Sequence, residues 1–444
     1  MFAQGGTTMS SELIIWYQLL STFRSPCTRP GWDRLAQLLT AWVLCPGRHT
    51  VTRLWGVMDP NGRLRYEAYA WFLRKGRWHG ATVWRLWVRF LVQTVKGVRN
   101  QYGELWLLLD DTLFHKTGRK VAGAGIFRDA LQSTGVRTVT AWGLNVVVLA
   151  VYVTPPWGGE PWALPVNLRI HRKGGPTLLD LAEAMVREVA EWLPEERFAL
   201  VADGAYTALA RRGMPRTVLY SRMRRNAALY QAPPVRKKGQ RGRPRKRGDR
   251  LPTPEQWAKN LPASQWQRAT VDIRGRKVER LVFAQQVLWY ETCPDQLVLM
   301  VLVRDPAGVE PDDFFFTTDL TATAASVLEH YGGRWTIEET FRATKQHLGG
   351  EDPQSWVEPA PERAVTAAFL TYGLVWVWYL LTQGDHPKMI SRPWYPKKTT
   401  PSFLDALATL RTVVWTDRIY DETGPRRISS EMAAQLIQVL AEAG

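Results

Sequence analysis

Four acidic side chains stand out by where they fall. Asp110 and Asp111 close the run LWLLLDD at 105–111, and Asp203 lies at the end of FALVADG at 198–204. Each run is short and apolar on both faces, as a fully buried strand is. A carboxylate at the end of such a strand sits at the rim of a sheet, where open α/β sheets place their ligand sites. Its oxygens suit a hard divalent cation such as Mg²⁺, and two carboxylates from neighbouring strands could hold one between them. Taken singly, each aspartate reads instead as a turn residue, Asp111-Thr112 opening a turn and Asp203-Gly204 forming an Asp-Gly turn. The fourth acid, Glu338, shifts that reading.

Glu338 lies in YGGRWTIEETFRATKQHLGG, residues 331–350. Thr336 with Glu339 three residues on has the form of a capping box, which predicts a helix starting there, and Gly349-Gly350 is a stop. At about 100° per residue, Ile337, Phe341 and Leu348 fall within ~40° of one another and form a core stripe. Glu338, Arg342 and Lys345 fall within ~60° of one another on the neighbouring face, at the edge between core and solvent. An acid there could meet the strand ends while the Arg and Lys grip phosphates; the plain alternative is an ordinary charged helix surface. Tyr331 and Arg334 precede the cap. They join the same face if the helix begins earlier and ride on a loop if it does not.

The elements that would position these groups follow from periodicity. Residues 1–98 read as helical. In ATVWRLWVRFLVQTV, Arg85 and Arg89 share a face that is either solvated or DNA-facing. Strands follow at 105–111, 139–155, 163–170, 198–204 and 217–223, with an amphipathic helix at 178–193. Three early strands and then alternating helix and strand predict a mixed α/β sheet. Residues 222–250 carry twelve Arg or Lys against one acid, Asp249, with Pro and Gly that deny a stable helix. Further strands at 269–275, 277–292 and 296–305 come next, then helical pattern at 321–349, 363–382 and from 402.

Composition narrows the class. The chain has 444 residues, 45% hydrophobic and 22% charged, so it can bury a large core and is not disordered. Lys and Arg number 58 against 41 Asp and Glu, a net charge of +17. That excess suits DNA, because each neutralised phosphate releases counterions. Cys27, Cys45 and Cys293 form no CxxC pair, which argues against a zinc site or a disulfide framework and fits a reducing cytoplasm. No apolar run approaches a membrane span and the first residues do not read as a signal peptide. Arg241-Gly242-Arg243-Pro244, with Arg245 beyond, has the form of an AT-hook core; the competing reading is a non-specific phosphate-binding arm. His115 and Lys116 follow the first carboxylates closely and could approach DNA, although turn-surface residues are the favoured reading. Trp289 could stack on a flipped base, although core packing is the favoured reading for one of 22 tryptophans.

The spacing Tyr331, two residues, Arg334, three residues, Glu338, six residues, Lys345 resembles the YREK signature of the insertion sequence four superfamily of bacterial DDE transposases. Asp110-Asp111-Thr112 resembles that family's first motif, an Asp, any residue, then Thr, in the form found in its Asp-Asp-Thr branch. VADGAY at 201–206 resembles the second motif, and RRNAALYQAPP followed by RGRPRKRG is similar to stretches in the same group. The resemblance covers about 100 to 350. It implies an RNase H-like mixed-sheet core, divided as 99–223 and 311–355 by a basic loop and β-strand insertion at 224–310. The pattern outside it adds an expected helical DNA-binding domain at 1–98 and a helical region at 356–444.

The resemblance further implies Asp110, Asp203 and Glu338 as the catalytic metal-binding triad, Asp110 being favoured over Asp111 as the first ligand. Tyr331, Arg334 and Lys345 are implied as contacts to DNA near the cut. Arg342 on the helix, and Arg241, Arg243 and Arg245 on the arm, complete the expected DNA-binding set. The expected chemistry is in-line attack on a phosphodiester with two Mg²⁺ ions ~3.5–4 Å apart, Mn²⁺ substituting. The expected partners are double-stranded DNA and a second copy of the chain at synapsis, with no membrane, in a bacterial cytoplasm at the nucleoid. A nuclease that cuts without joining and an inactive DNA-binding regulator are the alternatives.

Overall fold

The computed structural model describes residues 9–134, 136–235, 242–390, 393, 395–423 and 429–442. Among them are ten strands in one mixed sheet and twelve α-helices. The chain is mixed α/β, and the arrangement is consistent with an RNase H-like core.

Helices α1 (Ser11–Ser21), α2 (Arg29–Leu44), α3 (Val51–Met58), α4 (Glu67–Lys75) and α5 (Gly80–Thr94) precede the first strand. Strand β1 (Leu105–His115) is longer than its sequence suggests: it does not stop at the two aspartates but continues through Thr112, Leu113 and Phe114. The reason is its partner. β3 (Thr140–Val153) is 14 residues long and runs antiparallel to β1 from Leu107↔Val151 to His115↔Gly143, so the β1 backbone stays paired past the acids. On the other side β1 pairs in parallel with β5 (Phe198–Ala202), and that pairing ends at Leu109↔Ala202. The carboxylates therefore lie in the middle of β1, at the level where its parallel neighbour stops.

The short β2 (Gly125–Arg128) and β4 (Trp162–His171) both pair with β3. Helix α6 (Leu178–Trp192) connects to β5 and begins at a formed capping box between Thr177 and Asp180. β6 (Thr217–Arg222) pairs in parallel with β5. Past β6 the sheet continues through β10 (Asp313–Thr317), β9 (Val298–Arg304), β8 (Arg276–Val287) and β7 (Gln267–Ile273). The strands after the basic segment thus extend the same sheet. The strand that joins them to it, β10, is the five-residue run DFFFT, whose shortness hides it in the sequence.

The polar-faced helices lie before and after these strands. α7 (Pro254–Asn260) precedes β7, and α8 (Ala324–Gly333) runs into α9 (Trp335–Gln346) across a helical Arg334. α10 (Ala360–Gln383) is long and apolar enough to cross a membrane, yet it is buried along nearly its whole length inside the protein. Its neighbours are α11 (Phe403–Thr423), α12 (Ser430–Glu442) and the N-terminal helices. Arg363 on α10 donates to the carbonyls of Leu73, at 3.0 Å, and Trp78. Arg411 on α11 donates to Val43 O at 2.7 Å, and Trp42 Nε1 donates to Leu348 O at 2.8 Å. The two helical ends of the chain thus close on each other and on the loop after α9. Of the cysteines, Cys45 and Cys293 are buried, and all three are free thiols.

A buried aromatic stack ties α8 to the sheet. Trp106 on β1 lies 3.8 Å from the Tyr152 ring and 4.7 Å from His330, and His330 stacks on Tyr220 at 4.3 Å. Gly333 sits against this stack because nothing larger fits: a Cβ there would overlap the Trp106 ring and meet Tyr152 Cε2 at 2.9 Å. On the far side, Gly332 lets Ile273 of β7 approach, with a Cβ meeting Ile273 Cγ2 at 2.8 Å. Gly333→Ala is expected to destabilise the protein by about 1–3 kcal/mol through overpacking, read by urea denaturation; an unchanged midpoint would contradict the packing described.

Burial pushes the His330 imidazole below its ordinary value, and burial likewise pushes His49 down to about 4. As pH falls below 6.5 the unfolded chain binds protons that the folded chain excludes, so the contribution is fully present above pH 6.5 and is lost as pH falls. Relative to the His330→Gln protein, the wild-type melting temperature is expected to fall on going from about pH 7 to about pH 5. The same change in both proteins would refute this.

Candidate active site

The alternation of β1 sends Asp110 and Asp111 to opposite faces of the sheet. Asp111 accepts a 2.8 Å hydrogen bond from Tyr206 Oη, and the Asn145 side chain also bonds to it. It is held among groups of the fold on the side of the 3-10 turn Gly204–Arg212. Burial raises its pKa, the Tyr206 and Asn145 bonds opposing that rise. Asp110 faces the other way, toward α8 and α9. Arg334 Nη1 donates to Asp110 Oδ2 at 2.5 Å, and Arg334 Nη2 donates to Glu338 Oε1 at 2.9 Å. Burial lifts the Asp110 carboxyl to about 7, with Arg334 pulling it down and Asp111 and Asp203 pushing it up. Glu338 is also raised by burial, less the attraction of Arg334.

Asp203 follows the last residue of β5. Its backbone carbonyl accepts from Ser221 Oγ at 3.1 Å and from Tyr206 N at 2.9 Å, which fixes it at the rim. Its carboxylate accepts from Tyr331 Oη at 3.4 Å. Tyr331 in turn packs on Phe315 of β10, ring centroids 4.6 Å apart. Asp203 is close enough to raise the pKa of Asp110 and of Glu338 by like-charge repulsion.

The expected capping box at Thr336 and Glu339 does not form. Thr336 is buried and donates back to Gly333 O at 2.8 Å. The helix begins earlier, at the Thr323 cap, whose side chain accepts from Ser326 N at 3.1 Å. Arg334, with φ −55° and ψ −36°, keeps helical geometry between α8 and α9. Tyr331, Arg334 and Glu338, spaced by three and four residues, therefore share one face of a nearly continuous helical stretch. Ile337, Phe341 and Leu348 form the buried stripe expected of them.

Two other residues of that helix do not reach the carboxylates. Arg342 is exposed and ion-pairs with Glu339. Lys345 is half-buried and donates to Leu113 O at 2.7 Å, clamping α9 to β1, with burial lowering its pKa. His115 and Lys116 are not turn-surface residues, because β1 runs on and the loop after α9 closes over its end. The His115 ring bridges Asp129 at 2.8 Å and Glu351 at 3.1 Å, and buried Lys116 donates to the carbonyls of Glu351 and Pro353 at 2.6 and 3.1 Å. These partners, like Asn145, Tyr206 and Ser221, are unmarked in the sequence because only the fold brings them near.

The basic segment lies elsewhere on the chain. Arg243 and Arg245 are exposed and line a concave surface with Lys246, Arg247 and Tyr290. Arg247 stacks over Tyr230 at 4.4 Å and Tyr290 at 5.3 Å, and donates to Tyr230 Oη at 2.8 Å. Arg241 lies outside the described residues, so the AT-hook form is seen only from Gly242 onward. Trp289 is buried edge-on to Phe316, 5.3 Å between centroids, and packs in the core. Arg85 and Arg89 are both exposed, and Arg89 donates to Trp192 O at the carboxyl end of α6 at 3.1 Å.

The site thus gathers Asp110, Asp203 and Glu338 around one guanidinium, the Arg334 side chain being 10% exposed. Among the described residues no three His, Cys, Asp or Glu side chains converge closely enough to hold an ion as they stand. The donor set nevertheless suits a hard divalent cation, being carboxylate oxygen throughout. A cationic group already lies between Asp110 and Glu338, so the space between them accepts positive charge.

A family model described as DDE superfamily endonuclease matches residues 22–278, a stretch that includes Asp110 and Asp203 and ends before Glu338. No curated protein matches the chain. The matched stretch is more than half of the 444 residues, and the chain belongs to the DDE superfamily endonucleases, nucleases that act on DNA and typically use divalent metal ions.

Proposed function

We propose that the protein is a DNA transposase of the insertion sequence four superfamily, which cuts DNA at the ends of its element and joins the freed 3′-OH ends to target DNA. The observation that carries this reading is the single face shared by Tyr331, Arg334 and Glu338, which meets Asp110 and Asp203 from across the sheet. These are the first three residues of the YREK signature, at its first two spacings, and they engage the two aspartates that the resemblance assigns. Asp110 is the first ligand in this reading, supported by its place on the face of Glu338; Asp111 is spent on Tyr206 and Asn145.

Asp110, Asp203 and Glu338 would hold the divalent ions, Mg²⁺ or Mn²⁺. When bound, these ions supply charge stabilisation at the phosphate and activation of the attacking hydroxyl. The protein's own groups do the rest. Tyr331 orients Asp203. The β1–β5 pairing sets the two aspartates side by side on the sheet. The clamp between Lys345 and Leu113 holds the Glu338 helix to β1, which makes Lys345 a positioning residue in this reading. Arg243 and Arg245, with Arg247 stacked between its tyrosines, offer a sequence-tolerant grip on DNA phosphates. Pairing two element ends calls for two copies of the chain. A bacterial cytoplasmic setting at the nucleoid goes with this role.

The test is cleavage and joining of DNA carrying the element's terminal repeats, by purified protein with Mg²⁺ or Mn²⁺. Wild-type protein is expected to give both cleaved ends and strand-transfer products. Asp110→Asn, Asp203→Asn and Glu338→Ala are each expected to lower cleavage by about 10³-fold or more, as loss of a metal-holding group does, and Asp111→Asn by far less. Undiminished cutting by Glu338→Ala would refute the assignment, and cutting without any joined product would reduce it to a nuclease.

A further inference from the structure

Arg334 occupies the place where positive charge is needed. Its two terminal nitrogens are divided between Asp110 and Glu338, on two different elements. Among the described residues it is the cation that ion-pairs with Asp110 and Glu338, while Asp203 accepts from Tyr331 and lies near Arg222. An ion entering between Asp110 and Glu338 meets a guanidinium of like sign holding the same oxygens. Both cannot be held there at once.

The arginine is also imperfectly settled. Its Nε is buried and has no hydrogen-bond partner. Its guanidinium carbon lies 5.5 Å from the ring centroid of Trp335, which is 53% exposed, and 5.7 Å from that of Tyr331. Both rings lie within cation–π range of the guanidinium, so part of its charge is already met outside the two carboxylates, on an aromatic face at the surface. A DNA phosphate at the rim would add the counter-charge that Asp110 and Glu338 now supply.

We propose that Arg334 is a positioning residue that stands in for the metal. It holds Asp110 and Glu338 in place in the metal-free protein, and it leaves them when a divalent ion enters, the departure being favoured by DNA phosphate. The protein would then take up metal weakly when alone and more tightly on DNA, because one side chain competes for both. This rests on reading Asp110, Asp203 and Glu338 as the metal ligands.

The probe is Mn²⁺, titrated into the full-length, chelator-stripped protein without DNA, with free Mn²⁺ followed by electron paramagnetic resonance. Arg334→Gln is expected to bind Mn²⁺ about tenfold or more tighter than wild type, since removing a competing state raises apparent affinity. Its melting temperature is expected to rise more on adding Mn²⁺ than that of wild type. A merely structural role for Arg334 would move affinity the other way. Glu338→Gln is expected to weaken Mn²⁺ binding in both backgrounds.

Equal or weaker binding by Arg334→Gln, with Glu338→Gln still weakening it, overturns the stand-in role and leaves the metal site. Indifference of binding to Glu338→Gln overturns the metal site itself. Should Arg334→Gln fail to fold, Arg334→Lys keeps the charge but cannot donate to both carboxylates in the same way. It too is expected to bind Mn²⁺ more tightly than wild type, and unchanged affinity overturns the proposal.

Discussion

Acidic side chains gathered at the buried end of a sheet repel one another, and burial makes each of them costly to ionise. In this protein the conflict is met by one arginine. Arg334 joins Asp110 of β1 to Glu338 of α9, and much of the surrounding architecture serves to keep that arginine where it is. The α8–α9 junction must remain helical at Arg334. Gly333 must remain small so that Trp106 and Tyr152 can pack beneath it, and the Trp106, His330 and Tyr220 stack holds α8 down on the sheet. The facing acids are thereby held together by a cation of the protein's own.

The strands after the basic segment bear on the same place. They are not a separate lobe of sheet, because β10 joins β6 to β9 and makes one ten-stranded surface. Their last member, β7, reaches α8: Ile273 packs against Gly332, and the Asp272 amide donates to Glu329 at 3.4 Å. The segment between β6 and β7 also carries the exposed arginines Arg243 and Arg245.

The helical ends of the chain close around the other side. Buried arginines, not apolar contacts alone, register them: Arg363 reads the carbonyls at the end of α4, and Arg411 reads those at the end of α2. Each meets the unpaired carbonyls that terminate a helix, where positive charge is favoured. The loop after α9 is caught between these helices and β1, through Trp42 on Leu348 and Lys116 on Glu351. The Glu338 helix is therefore held at both ends, by the aromatic stack before it and by this loop after it.

Local chemistry by itself determined a good deal. Apolar runs marked most of the central strands, alternating charge and leucine marked α6, and the spacing of Glu338, Arg342 and Lys345 marked one face of a helix. These are properties of neighbours along the chain, which periodicity records. What only the tertiary structure decided depended on neighbours across it. Asp110 and Asp111 could not be separated by pattern in a strand apolar on both sides; the pairing of β1 with β3 and β5 sent one to Arg334 and the other to Tyr206. Thr336 looked like a cap because a Thr-to-Glu spacing is a local signal, but burial against Gly333 O turned it into helix interior. Lys345 sits at the signature spacing, yet it holds a β1 carbonyl, because the distance to Leu113 is set by how α9 lies on the sheet. Side chains with several possible partners take the one the fold presents, and the sequence carries no record of that choice.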